Sequence, residues 1–148
     1  RLFEKIVERY GEDLSGMTFA FWGLSFKPGT DDMREAPSKV ILHELIAAGA
    51  KIVAYDPAAI EVAREELPKE WFEHGHLKLV EHQYEVFPDV DALILVTDWK
   101  SFNTPDFNKM KDLMKSHVIF DGRNQYQPKL MHKQGFSYIS IGRDATNG

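Results

Sequence analysis

The feature that most constrains this chain is a repeated alternation of short, apolar, β-prone runs with helical stretches. The runs are Met17 to Trp22, Lys51 to Tyr55, Leu77 to Val80, Ala92 to Thr97, His117 to Phe120 and Phe136 to Ile139. Such an order is the pattern of a parallel sheet covered by helices. It predicts an α/β fold with three layers and a mostly parallel sheet of about six strands.

The clearest helix lies between the first two runs. Pro37 suits a first-turn position, Ile41, Leu45 and Ala48 follow an i, i+4, i+7 spacing, and Gly49 closes the segment. Further helical stretches are predicted from Ala58 to Leu67, Tyr84 to Phe87, Phe107 to Lys115 and Pro128 to Gln134. At the start, Leu2, Phe3, Ile6, Val7 and Tyr10 also recur with helical spacing, and residues 1–14 read as the tail of a helix arriving from a preceding domain. Residues 15–143 then form one domain, and 144–148 read as a frayed end.

A chain of 148 residues, 43% hydrophobic and 28% charged, buries a substantial core without disulfides or metals. It has no cysteine, which excludes a disulfide framework, a thiolate metal site and a cysteine nucleophile within these residues. No run approaches the roughly 18 apolar residues of a membrane-spanning helix, and the opening residues lack a signal-peptide hydrophobic region. A cytoplasmic location without membrane association is the expectation. Net charge is −5 with scattered cations, which argues against a nucleic-acid footprint but leaves room for a small anion held by a few focused charges.

In open parallel sheets, ligands bind beyond the carboxyl ends of the strands where the strand order reverses. Two loops qualify: the long, charged connection Gly23 to Pro37, and Asp121-Gly122-Arg123-Asn124. With the first and fourth strands adjacent and the fifth beside them, Lys27, Arg34 and Arg123 would face one crevice. Lysine supplies a point charge and arginine a planar fork for phosphate oxygens. Against this, Asp31, Asp32 and Glu35 leave the first loop net −1. The alternative is that Asp31 or Thr30 caps the following helix while Asp32 pairs with Arg34. Gly23 lacks the partners of a G-x-G-x-x-G dinucleotide fingerprint, so residue chemistry alone ends at an anion-binding crevice.

Several strings are distinctive together. The stretch Gly23-Leu24-Ser25-Phe26-Lys27-Pro28-Gly29-Thr30-Asp31-Asp32-Met33-Arg34-Glu35-Ala36-Pro37-Ser38 resembles the signature opening the carboxyl-terminal domain of the UDP-glucose/GDP-mannose dehydrogenase family. Ala54-Tyr55-Asp56-Pro57, Asp91 to Trp99 and Phe120 to Asn124 match the family in the same order. Asp121 to Asn124 followed by Tyr126 and Pro128, with Gly135-Phe136 and Ile141-Gly142-Arg143, look most like its UDP-glucose dehydrogenase branch.

The resemblance implies a Rossmann-like, nucleotide-sugar-binding domain of an enzyme that oxidises a sugar C6 alcohol to a carboxylate in two NAD-dependent steps, in polysaccharide biosynthesis. A cysteine thioester in another domain is implied, so these residues would bind but not turn over alone. Phe26, Lys27 and Arg123 match residues that contact the UDP-sugar, and Arg34 matches a residue that reaches NAD, which other domains mainly hold. The remaining domains of the same chain and a homo-oligomer are the implied partners. A UDP-N-acetyl-mannosamine or GDP-mannose dehydrogenase domain, or a noncatalytic α/β assembly module, stands as the alternative.

Asp98 and Trp99 follow the fourth run, where a tryptophan packs more often than it binds a base. His43-Glu44 would open a zinc-protease motif only with histidine at position 47, which is Ala47. His74, His76 and His82 lie in a loop setting without a carboxylate pattern, and no metal site is expected.

Overall fold

A computed structural model describes residues 1–141 together with 146 and 147. Its sheet has strands β1 (Thr18–Trp22), β2 (Lys51–Tyr55), β3 (Leu77–Leu79), β4 (Ala92–Leu95), β5 (Val118–Asp121), β6 (Ser137–Ser140) and β7 (Thr146–Asn147). They run in the order β3-β2-β1-β4-β5-β6-β7. The first six are parallel throughout, and β7 joins β6 antiparallel. The expected six-strand parallel sheet is therefore observed, with β1 beside β4 at the reversal of strand order.

Helices α1 (Leu2–Tyr10), α2 (Pro37–Ala47), α3 (Ile60–Glu66), α4 (Lys69–Glu73), α5 (Phe107–Leu113) and α6 (Pro128–Lys133) cover the sheet, with 3-10 turns at Gln83–Val86 and Lys100–Phe102. The strands read as unbroken apolar runs because both of their faces are covered. Alternate residues of one strand accordingly enter two different cores. Phe19 and Phe21 of β1 pack with α1 and α2 residues such as Ile6 and Leu42, whereas Ala20 and Trp22 point to the layer of Phe87, Met110 and Met131. Trp22 is stacked on Phe102 at 4.5 Å and donates its indole N–H to the Gln83 carbonyl at 2.9 Å.

Three expectations need correction. The buried face of α2 is Ser38, Leu42, Leu45 and Ile46, one residue round from the Ile41, Leu45, Ala48 stripe. Ile41 is only half-buried and Val40 is 61% exposed. The helix sits over β1 through Ser38, whose hydroxyl donates to the Leu24 carbonyl at 2.6 Å, and that bond sets the rotation.

The helix expected to Leu67 stops at Glu66, since Leu67 is extended (ψ 152) before Pro68. A separate short helix, α4, follows that proline. Finally, neither Thr30 nor Asp31 caps α2: its N-cap is Ala36, without a side-chain cap. Within the stretch read as a frayed end, Thr146–Asn147 pair with β6, which would otherwise expose an unpaired edge. Residues 142–145 and 148, Arg143 among them, lie outside the described residues. Among the described residues no helix is long and apolar enough to cross a membrane.

Candidate functional site

The carboxyl ends of β1, β4 and β5 lie side by side, and short polar residues fix the loops that leave them. After β1, Gly23 takes φ 101, and a Cβ there would stand 2.6 Å from both Thr97 Cβ and Thr97 N. The loop after β1 thus runs in direct contact with the loop after β4. Thr97 adds a hydrogen bond from its hydroxyl to the Ser25 carbonyl at 2.8 Å.

Asp56, at the end of β2 and 1% exposed, secures the same loop from the other side. Its Oδ2 accepts the Leu24 and Ser25 amides at 2.7 and 3.0 Å, and its Oδ1 accepts those of Ala58 and Ala59, each at 2.8 Å. Four backbone donors on one carboxylate satisfy a charge that would otherwise be costly to bury.

Beyond Ser25 the chain doubles back, because the Phe26 amide donates to the Asp32 carbonyl at 2.9 Å and the Ser25 hydroxyl donates to the Lys27 carbonyl at 2.9 Å. Met33 is fully buried beneath the turn. Phe26, 44% exposed, and the exposed Lys27 are presented at its tip, with Lys27 Nζ 5.4 Å from the Phe26 ring centroid. Among the described residues Lys27 has no ion pair.

Arg34 is in a different state. Its Nη2 lies 2.8 Å from Asp32 Oδ2 and its Nε 3.1 Å from Oδ1, while Oδ1 also accepts the Arg34 amide at 2.9 Å. The predicted pairing of Asp32 with Arg34 is what the structure contains. Those hydrogen bonds hold the Asp32 carboxyl down to about 2 from the ordinary 3.8, and the carboxylate in turn raises the guanidinium. For a depressed carboxyl pKa, the contribution of the clamp is fully present above the ordinary value and lost as pH falls through about 2. In a carbon-13 carboxyl titration, Asp32 is expected to protonate near the bottom of the aspartate range, and Arg34→Ala should return it towards the ordinary value. Titration of Asp32 at the ordinary value in the unaltered protein would mean the clamp does not persist in solution.

After β5, the buried Asp121 organises the loop carrying Arg123. Oδ1 accepts the Arg123 amide at 2.9 Å; Oδ2 accepts the Gln125 amide at 2.7 Å, the Tyr126 amide at 3.1 Å and the Tyr138 hydroxyl at 2.6 Å. Burial, with the Asp121 carboxylate next in effect, pushes the Tyr126 phenol far above its ordinary pKa. It stays protonated and donates to the Phe102 carbonyl at 2.5 Å. Arg123 itself is exposed, with Nε 3.6 Å from Asp98 Oδ1 at the end of β4.

Arg123 and Gly122 line a cavity of about 380 Å³ with Pro37, Val40, Ile41 and Val96 among its walls. Phe26, Lys27 and Arg34 lie outside that cavity, at the neighbouring loop. The fold therefore brings the two candidate loops to one edge, bridged by Thr97 on one side and Asp98 on the other.

Sequence reasoning assigns no role to Asp56, Thr97, Asp98 or Asp121. Asp56-Pro57 and Asp121-Gly122 each place an aspartate at the carboxyl end of a strand just before a turn residue, a recognisable signal for a side chain that gathers backbone amides. Thr97 and Asp98 carry no such signal. Trp99 is half-buried beside this edge and its carbonyl accepts from Gln125 Nε2 at 3.2 Å. Of the histidines, His43 packs edge-on against Trp71 at 4.6 Å and His76 Nδ1 lies 3.3 Å from the Ala50 carbonyl.

Residues 20–128 match the profile of the UDP-glucose/GDP-mannose dehydrogenase family, UDP binding domain. The chain is 44% identical over 142 residues to a UDP-glucose 6-dehydrogenase of Pseudomonas aeruginosa, covering 96% of this chain and 31% of that protein. It is 41% identical over 144 residues to a UDP-glucose 6-dehydrogenase of Bacillus subtilis, covering 97% and 31%. The structure of a UDP-glucose dehydrogenase from Pyrobaculum islandicum superposes with a TM-score of 0.75 at 26% identity, over 97% of this chain and 29% of that one. The chain thus spans 31% of the length of each of these two curated relatives.

Proposed function

The chain belongs to the UDP-glucose/GDP-mannose dehydrogenase family, and from that premise we propose that it is the carboxyl-terminal, nucleotide-sugar-binding domain of an NAD-dependent UDP-glucose 6-dehydrogenase. The observation that carries this reading is the meeting of two loops at the strand-order reversal. One presents a lysine, without an ion pair among the described residues, beside an exposed aromatic ring; the other presents an arginine on a rigid backbone at the mouth of a cavity.

In this reading Lys27 balances diphosphate charge, Phe26 offers an apolar surface against the sugar nucleotide, and the terminal nitrogens of Arg123 take phosphate or sugar oxygens. The carboxyl edge of β1, β4 and β5 orients the ligand so that its C6 faces the remainder of the polypeptide. The full reaction converts the C6 alcohol to a carboxylate with water and two NAD, through a cysteine thioester outside these residues. NAD supplies the hydride acceptor in both steps. Arg34 suits a place beside it: Asp32 occupies Nε and Nη2, while Nη1 has no hydrogen-bond partner among the described residues and the side chain is 82% exposed. One edge of the guanidinium is left for a second anion.

The exposed Val40 and the adjoining cavity support docking of this domain onto the other parts of the same polypeptide. The same reading has the whole enzyme work as a cytoplasmic homo-oligomer that supplies a nucleotide-linked uronic acid for polysaccharide synthesis.

Calorimetric titration with UDP-glucose, UDP and GDP tests the site. Saturable binding that favours uridine ligands is expected, with Lys27→Ala and Arg123→Ala each weakening it about tenfold, the effect of losing one charge-assisted contact. Equal, weak binding of all three ligands, unaffected by either substitution, would rule the site out.

A further inference from the structure

The two arginines at this edge are held in opposite ways. Arg34 is clamped at its tip: one carboxylate takes Nε and Nη2 at 3.2 Å or less and the backbone amide besides. Arg123 is fixed at its root, where Asp121 holds its amide at 2.9 Å, but among the described residues its tip has only the 3.6 Å approach of Asp98. That separation is beyond ordinary N–H···O hydrogen-bond length, and both side chains are about half exposed, 48% and 40%. Such a pair is oriented and weak. Asp98 approaches the guanidinium at Nε.

We infer that Asp98 is a positioning residue, an intramolecular counter-ion that holds Arg123 in the ligand-free domain and is exchanged for the ligand's phosphate when a nucleoside diphosphate binds. The inference rests on the proposed nucleotide-sugar site and deepens it. Its chemistry is simple. A carboxylate carries one negative charge and competes for the guanidinium, whereas a diphosphate brings more than one charge and several acceptor oxygens, so it displaces the carboxylate from Arg123. Ligands with less phosphate charge gain less by the exchange. Asp98 therefore lowers affinity for every anion that must displace it from Arg123, by the free energy of opening that pair. Asp32 cannot serve Arg34 in this manner, because its multiple short bonds make it a fixed clamp.

The test is a double-mutant cycle read by calorimetry with UDP and with inorganic phosphate, on the unaltered protein, Asp98→Asn, Arg123→Ala and the double variant, at low ionic strength where partly exposed charges are least screened. Asp98→Asn is expected to tighten UDP binding about threefold, within the range of a half-exposed ion pair, and to tighten phosphate binding by a similar factor where phosphate also takes Arg123. In the Arg123→Ala background the gain should fall below twofold. The nitrogen-15 resonance of Arg123 Nε should move both on Asp98→Asn and, in the unaltered protein, on adding UDP.

A gain of equal size in both backgrounds would show that Asp98 acts only as a diffuse charge and would overturn the inference. So would unchanged or weaker UDP binding by Asp98→Asn, provided Arg123→Ala still weakens binding, in which case the site itself stands. Absence of saturable UDP binding by the unaltered protein, or binding indifferent to Arg123, would overturn the site and the inference together.

Discussion

Asp121→Ala is expected to destabilise the fold by about 4 kcal/mol and to weaken nucleotide binding in whatever fraction stays folded. Asp121 is fully buried and its two oxygens receive three backbone amides and the Tyr138 hydroxyl. Each buried donor left unsatisfied costs about 1–3 kcal/mol, though water entering the space recovers part of that. Alanine removes the acceptor of the Arg123 and Gln125 amides and leaves the Tyr126 amide and the Tyr138 hydroxyl with their longer contacts to Tyr138 Oη and the Tyr126 carbonyl, and it frees the backbone beneath Arg123, so the stability loss and the binding loss share one origin. Asp121→Asn keeps the shape but turns an NH₂ group towards donors, and should cost about half as much. Urea denaturation measures the first effect and calorimetry with UDP the second. A midpoint shift worth less than about 1 kcal/mol for the alanine variant would mean that these hydrogen bonds do not hold the loop.

Gly23→Ala is the second large effect, expected at about 3 kcal/mol. At φ 101 an L side chain is strained, and the added Cβ would stand 2.6 Å from Thr97 N as well as from Thr97 Cβ. The clash is partly with backbone, so no rotamer relieves it, and overpacking of this kind costs about 1–3 kcal/mol on top of the conformational penalty. Relief requires the loop after β1 to move off the loop after β4, which breaks the bond from Thr97 to the Ser25 carbonyl and displaces Phe26 and Lys27. Gly29→Ala separates the two contributions: its φ is 86, yet a Cβ there meets nothing within 4 Å, so only the backbone penalty of about 1 kcal/mol remains. Equal melting shifts for the two variants would show that close approach to Thr97 is not the cause.

Both positions lie within strings that are legible in the amino-acid sequence. The glycine opens the long charged loop, and the aspartate opens Asp121-Gly122-Arg123-Asn124. Legibility fails at a finer level, and each failure has a local cause. Spacing misplaces the centre of the buried face of α2 because apolar residues extend round the helix: Ile41 and Ala48 pack at the edge of the core, Val40 is exposed, and the fully buried stripe runs through Ser38, Leu42 and Leu45. The break before α4 is signalled by Pro68, which a simple run of helix formers conceals. Arg34 reads in sequence both as a ligand contact and as the partner of Asp32, and only the folded loop shows three hydrogen bonds from its side chain to that carboxylate.

What the sequence determined by itself is the layered, parallel architecture and the family, because hydrophobic periodicity and several ordered strings are local properties that any reader of the chain can count. What the tertiary structure decided is which charges are available. Lys27 stands without an ion pair among the described residues, Arg34 is clamped by a neighbour two residues away, and Arg123 leans on Asp98, twenty-five residues distant and brought close only by the pairing of β4 with β5. The charges that meet at a site are set by distance in space, and distance in space stops following distance along the chain as soon as the chain crosses from one strand to the next.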